Sequence, residues 1–192
     1  MSLCFRVATL WDVPELLALE QHCFTTDRLS RRSFQWMISR AHGELRVAEN
    51  DGQLLGYALV LFRRGTSLAR LYSIAIAEPA RGMGLGRQLL SRVEASAVAQ
   101  GCNRLRLEVR TDNPGALSLY ERNGYRRFAL IDAYYEDHTA ALRLEKTLLT
   151  PPVSSPPLLP TLAPAATHVC RSTRLLPANA DSPPPPRPPP LP

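Results

Sequence analysis

The 192 residues carry 23 Lys and Arg against 17 Asp and Glu, for a formal charge of +6, and 45% of them are hydrophobic. That composition suits one folded domain, and no stretch reaches the apolar length of a membrane-spanning helix. Cys4, Cys23, Cys102 and Cys170 form neither a C-x-x-C pair nor a secreted framework, and the polar start with Trp11, Asp12 and Glu15 is unlike a signal peptide, so a cytoplasmic protein with reduced thiols is expected.

In chain order, residues 5–8 read as a short strand. Asp12 with Glu15 three positions on is a capping signal, opening a helix to about Cys23. Ser30 caps a second helix running through Met37 and Ile38. Residues 45–49 and 54–62, joined by Asn50-Asp51-Gly52, form a hairpin signal. The apolar run 71–76 is a strand and leads into Arg81-Gly82-Met83-Gly84-Leu85-Gly86. Leu85, Leu89, Val93 and Ala97 then recur every fourth residue, with Leu90 beside them, which predicts an amphipathic helix from Leu85 to Ala99 closed by Gly101.

A glycine-bearing turn between strand and helix suits an anion. Glycine lets the backbone approach closely, and the first helical N–H groups have no internal partner and carry partial positive charge. Arg81 and Arg87 add formal charge at its two ends. The same pattern also serves as an ordinary strand-to-helix connection, and its spacing is neither the dinucleotide nor the Walker fingerprint.

Residues 105–110 alternate, placing Leu105, Leu107 and Val109 on one face of a strand and Arg106, Glu108 and Arg110 on the other. Asp112-Asn113-Pro114 opens a helix over 115–122 that carries Ala116, Leu119 and Tyr120 and stops at Asn123-Gly124. Residues 125–131 and 140–146 read as two closing strands around the loop 132–137. From residue 150 the composition changes. The last 42 residues hold 15 of the 18 prolines and one acid, Asp181, so a separate, disordered, partly polyproline II tail over 150–192 is expected, with the folded domain at 1–149. The tail's three arginines and one aspartate carry +2, which leaves +4 for the folded part, whose only lysine is Lys146. No basic stripe interleaved with aromatics argues for nucleic-acid binding. His22, His42, His138 and His168 show no ligand spacing, so no metal is expected.

The ordered motifs R-x-x-G-x-G (81–86), L-x-L-E-V-R (105–110) and N-x-x-A-x-x-L-Y-E-x-x-G-Y (113–125) resemble the GNAT superfamily of acetyl-CoA-dependent N-acetyltransferases, most of all the RimI-type enzymes that acetylate the N-terminal amine of a ribosomal protein. The resemblance covers residues 3–149 and implies an α/β fold, a central twisted mixed sheet flanked by helices. It implies acetyl-CoA as co-substrate, held by Arg81, Gly82, Met83, Gly84, Leu85, Gly86 and Arg87. The pantetheine arm would lie along the backbone of Ile74, Ala75 and Ile76, and Asn113 would add a contact. Taken from the residues alone, Asn113 is a helix cap and those side chains are core.

Acyl transfer to an amine needs a proton taken from the amine and one given to the departing thiolate. Glu108 stands either as a general base or as a solvated charge paired with Arg106 or Arg110; the resemblance favours the base. Tyr120, a phenol with an ordinary pKa near 10, stands either as a packed core aromatic or as the acid, and the resemblance favours the acid. Tyr134 and Tyr135 lie where RimI-type enzymes carry a paired tyrosine near the incoming peptide, while Glu136 and Asp137 suit a cationic amine. Three acceptor readings follow: a protein N-terminus, with work close to the ribosome; a small amine such as a polyamine or aminoglycoside; or none, in a module that only binds acetyl-CoA.

Overall fold

The computed structural model describes residues 3–148. The expected tail over 150–192, with His168 and Cys170, lies outside the described residues. The elements are β1 (Leu3–Val7), α1 (Val13–Cys23), α2 (Arg31–Ser39), β2 (Gly43–Asn50), β3 (Gln53–Phe62), β4 (Leu68–Ile76), α3 (Leu85–Ala99), β5 (Arg104–Arg110), α4 (Pro114–Arg122), β6 (Arg126–Ile131) and β7 (Ala141–Thr147). The β2–β3 turn has Asp51 and Gly52 both at positive φ, 49° and 81°, the twist a two-residue hairpin requires.

One correction concerns the start of α1. Asp12 does not cap that helix with its side chain. Its carboxylate turns back instead, taking the Thr9 N–H at 2.6 Å and a forked Arg6 guanidinium at 2.8 and 2.7 Å. A bidentate ion pair outcompetes a cap, and Pro14 in the first turn removes one N–H that needed capping. Ser30 does cap α2, accepting from Ser33 N at 3.1 Å.

The seven strands form one mixed sheet in the order β1-β2-β3-β4-β5-β7-β6. Among the described strands only β4 and β5 pair in parallel, and α3 is the crossover between them. Each face buries a core. One side packs Leu85, Leu89, Val93 and Ala97 of α3 and Ala116, Leu117 and Tyr120 of α4 against Leu105, Leu107 and Val109. The other packs Leu16 and Leu19 of α1 and Phe34 and Met37 of α2 against Val47, Tyr57 and Leu59.

The parallel pairing is short. It runs from Leu68↔Arg104 to Arg70↔Arg106 and stops, although β4 continues to Ile76 and β5 to Arg110. Opposite, Leu59 pairs Ser73 and Val60 pairs Leu71, so Tyr72 is an extra residue, a bulge that bends β4 at this point. The second half of β4 therefore keeps one neighbour, β3, and its other edge borders a cleft.

Candidate functional site

A cavity of about 730 Å3 occupies that cleft. Ile74 and Ile76 of β4 form one wall, Gly115, Ala116, Leu119, Arg122 and Asn123 the other, and the turn Ala80–Arg87 closes one end. Gly82 and Gly84 both sit at φ 77°, in the left-handed region that glycine alone adopts freely, and Gly84 immediately precedes α3. The first helical bond of α3 is Gln88 N–H to Gly84 O at 3.1 Å. The N–H groups of Leu85, Gly86 and Arg87 thus have no helical partner where these residues line the cavity. With Arg81 and Arg87 in the same turn, this end has the charge and donors that suit an anion, and the Ile74–Leu119 part the surface that suits an apolar chain.

On the opposite face of β5, Glu108 is buried with its side chain 4% exposed. Neither sequence neighbour is its partner. Arg70 Nε of β4 meets Oε2 at 2.8 Å and Arg143 Nε of β7 meets Oε1 at 3.2 Å. Arg106 pairs with Glu145 instead, and Arg110 with Asp112 and Asp137 at 2.9 and 2.8 Å. Arg70 also donates to the Tyr134 hydroxyl at 2.7 Å, which ties the loop between β6 and β7 to the carboxylate. That loop is further held by Tyr134 and Tyr135 N–H groups donating to Thr139 O at 3.1 and 3.2 Å.

The rings of Tyr134 and Tyr135 meet edge to face at 5.1 Å, and the Arg110 guanidinium covers Tyr135 at 5.1 Å. Tyr135 is buried and its hydroxyl makes no hydrogen bond. Tyr120 is buried in α4, edge to face with Tyr125 at 5.7 Å. Burial, and next the proximity of Tyr135, hold its phenol well above the usual range, so it stays protonated at neutral pH.

Of the residues expected along the cofactor, Ile74, Ile76, Arg81, Gly82, Gly84, Leu85, Gly86 and Arg87 line the cavity. Ala75 packs in the core with α1 and α2, Met83 points outward at 67% exposure, and Asn113 caps α4 by accepting from Ala116 N at 3.0 Å. Glu108, Tyr120, Tyr134 and Tyr135 lie outside the lining. Ala80, Gly115, Ala116, Leu119, Arg122 and Asn123 line it too, although none of them was expected along the cofactor. Arg70 and Arg143 were also missed, because nothing in the linear order announces a cross-strand partner. No cluster of three or more potential metal ligands occurs among the described residues, and none of the described helices is long and apolar enough to cross a membrane.

This sheet, splayed at β4 and β5 over a glycine turn at a helix N-terminus, defines the class of protein. Residues 10–125 match the acetyltransferase (GNAT) family. The chain belongs to that family and has its fold. An uncharacterized N-acetyltransferase of Methanocaldococcus jannaschii is 38% identical over 101 residues, 52% of this chain and 64% of that protein, so the match spans less than two thirds of that relative's length. An N-alpha-acetyltransferase of Sulfolobus acidocaldarius is 28% identical over 69% of this chain and 84% of its own. The crystal structure of the ribosomal-protein-S18-alanine N-acetyltransferase from Escherichia coli superposes with a TM-score of 0.69 at 23% identity, covering 77% of this chain and 94% of that one.

Proposed function

We propose that the chain is an acetyl-CoA-dependent N-acetyltransferase of RimI type, whose acceptor is the N-terminal α-amine of a protein such as a ribosomal protein. The observation that carries this reading is the cavity. Its cationic end, with free helical N–H groups, suits a pyrophosphate, and its apolar walls suit the pantetheine arm. A cytoplasmic site of action and work near the ribosome belong to the same proposal. The names of the Sulfolobus and Escherichia coli proteins support the choice of an α-amine over a small metabolite.

In this mechanism the backbone of Leu85, Gly86 and Arg87, with Arg81 and Arg87 side chains, holds the cofactor phosphates. The open edge of β4 at Ile74–Ile76 orients the thioester. Glu108 takes the amine's proton. Both its oxygens are already engaged by arginines, so a bridging water is the natural carrier, each carboxylate oxygen keeping a further lone pair. An α-amine has a pKa of about 8, so a modest base suffices at neutral pH. Tyr120, held protonated by burial, gives its proton to the departing thiolate. Residues 1–149 would carry the whole reaction, with 150–192 dispensable for it.

Thioester consumption by the purified chain tests this. With acetyl-CoA and two panels, N-terminal peptides of ribosomal proteins and small amines, turnover on the peptides is expected. Turnover on small amines alone would overturn the acceptor but keep the chemistry. Binding of acetyl-CoA without turnover on either panel would overturn both acceptor classes and leave another acceptor or a module that only binds acetyl-CoA.

A further inference from the structure

Helices α1 and α2 cover only part of their side of the sheet. Their core takes in residues of β2, β3 and β4 and, among the described residues, none of β5, β6 or β7. The other side of β5 and β7 is packed under α3 and α4 through Leu105, Leu107 and Leu144. Strands β5, β7 and β6 therefore present one face with no described helix upon it. The register says which residues share that face. Arg106 of β5 pairs with Glu145 of β7, Glu108 with Arg143, and Arg126 of β6 with Glu145.

No stretch of the chain carries a basic stripe, but strand pairing assembles one. Glu145 is shared by Arg106 and, at 3.9 Å, Arg104, so it neutralises at most one of them. Arg126 is exposed and forms no ion pair among the described residues. The turn 63–66 adjoins the start of β5, where Ser67 O accepts the Asn103 and Arg104 N–H groups at 2.9 and 3.3 Å, and it adds the exposed Arg63 and Arg64. Five arginines thus gather here about one carboxylate. Phe128 stands beside them. The pairing of β6 with β7 slips at this residue, between Arg127↔Leu144 and Ala129↔Arg143, and such a bulge re-aims a side chain. The Arg106 and Arg143 guanidinium groups lie over its ring at 5.0 and 5.3 Å, and the residue is 48% exposed.

We propose that this face binds single-stranded RNA, with Phe128 as the platform for an unpaired base and Arg104, Arg106 and Arg126 as phosphate contacts. Charge argues against two nearer occupants. A second copy would set arginines against arginines, and the tail over 150–192 itself carries three arginines and one aspartate. An acidic peptide would answer the arginines but leave the exposed ring without a stacking partner. A duplex keeps its bases stacked, whereas the loops and ends of RNA offer bases that splay out onto an aromatic ring. Asp132, Glu136 and Asp137 follow β6 at the other end of the face, so a polyanion is held to the Arg104–Arg126 end. Neither those arginines nor Phe128 line the cavity, and binding there leaves the cofactor site free.

The test uses the full chain and needs no acetyl transfer. Fluorescence anisotropy follows a labelled single-stranded RNA of mixed sequence, about 12 nucleotides long. The wild type is expected to bind with a Kd of about 1–10 μM at about 50 mM salt, and about 20-fold more weakly at about 200 mM, as three phosphate contacts on a single strand require. Phe128→Leu keeps an apolar side chain without a π face. It should weaken binding about tenfold at both salt concentrations and leave the salt dependence unchanged. The double variant Arg104→Gln, Arg126→Gln should lower the logarithmic salt slope by about 1.4. Both variants replace exposed side chains and are expected to melt within about 2 °C of wild type. No binding by the wild type overturns the proposal, and so does either variant binding as the wild type does, which would move the contact elsewhere on the chain. Equal affinity for the same sequence as a duplex, or tighter binding of the DNA oligonucleotide, also overturns it. Polyglutamate that competes as well as unlabelled RNA would give the face to an acidic protein instead.

Discussion

Arg70 and Glu108 bridge β4 and β5 at 2.8 Å beside Arg70↔Arg106, the last pair before those strands part. The ion pair closes the sheet where the cleft begins, and it fixes the carboxylate in a water-poor setting. If Glu108 is the base, Glu108→Gln should lower kcat by about 100-fold at neutral pH and leave the acetyl-CoA KM nearly unchanged. Steady-state kinetics with both substrates varied decides it. Equal kcat would assign the proton to another group.

Tyr120 offers a cleaner separation of stability from chemistry. Its ring packs against Tyr125 in the core. Tyr120→Phe keeps the ring and removes the oxygen. The melting temperature should hold within a few degrees while kcat drops about tenfold or more. A fall in melting temperature with kcat intact would leave Tyr120 a packing residue only.

The phosphate end of the cavity predicts a salt-sensitive loss. Arg81 and Arg87 are exposed side chains flanking the glycine turn, and the neutral backbone donors between them survive their removal. The double variant Arg81→Ala, Arg87→Ala should raise the acetyl-CoA KM by about tenfold with kcat retained. The effect should shrink at high ionic strength, where the wild type itself loses the attraction. A KM unmoved at low salt would remove the arginines from the site.

Much of this architecture is visible in the linear chain because its signals are local. The helix over Leu85–Ala99 agrees at both ends with a four-residue apolar repeat bounded by glycines. The alternation over 105–110 correctly turns Glu108 away from Leu107 and Val109. What escaped depends on contacts distant in sequence. Glu108 faces Arg143 across β7 only because the register pairs those two positions. Asp12 leaves its capping role because Arg6 reaches it from β1.

Gly56 is another residue with no linear signal. It lies in β3 opposite Ile76, and a Cβ there would meet Ala75 O and Ile76 Cδ1, each at 2.8 Å. The backbone oxygen cannot move without shifting β4, and Ile76 is a wall of the cavity. Gly56→Val should therefore destabilise the fold by about 2–3 kcal/mol and weaken acetyl-CoA binding in the fraction that folds. Denaturant unfolding and cofactor titration measure the two effects. A variant as stable as wild type would show that β4 yields more easily than its contacts indicate.

The α1–α2 loop is held from below by a buried carboxyl. Glu20, 1% exposed, accepts the Leu29 N–H at 2.8 Å and the Tyr57 hydroxyl at 2.5 Å, and Tyr57 also meets Ser73 Oγ at 2.7 Å beside the β4 bulge. Burial pushes this carboxyl from 4.5 up to about 7, against the lowering effects of the Leu29 and Tyr57 hydrogen bonds and the Arg28 charge. Below pH 4.5 the group is neutral in folded and unfolded chains alike. Between 4.5 and about 7 the folded chain keeps a proton the unfolded chain has released, so stability falls as pH rises through that window and levels off above it. The loss from this one group amounts to about 3 kcal/mol. Glu20→Gln cannot titrate, so its unfolding free energy should decline less than that of wild type between pH 5 and pH 8, by about that amount. Asp12, held down to about 2, loses its contribution only below this window and does not confound the comparison. Parallel declines in the two proteins would show that Glu20 is ionised throughout, and that the loop carrying Asp27 rests on a charge and not on a proton.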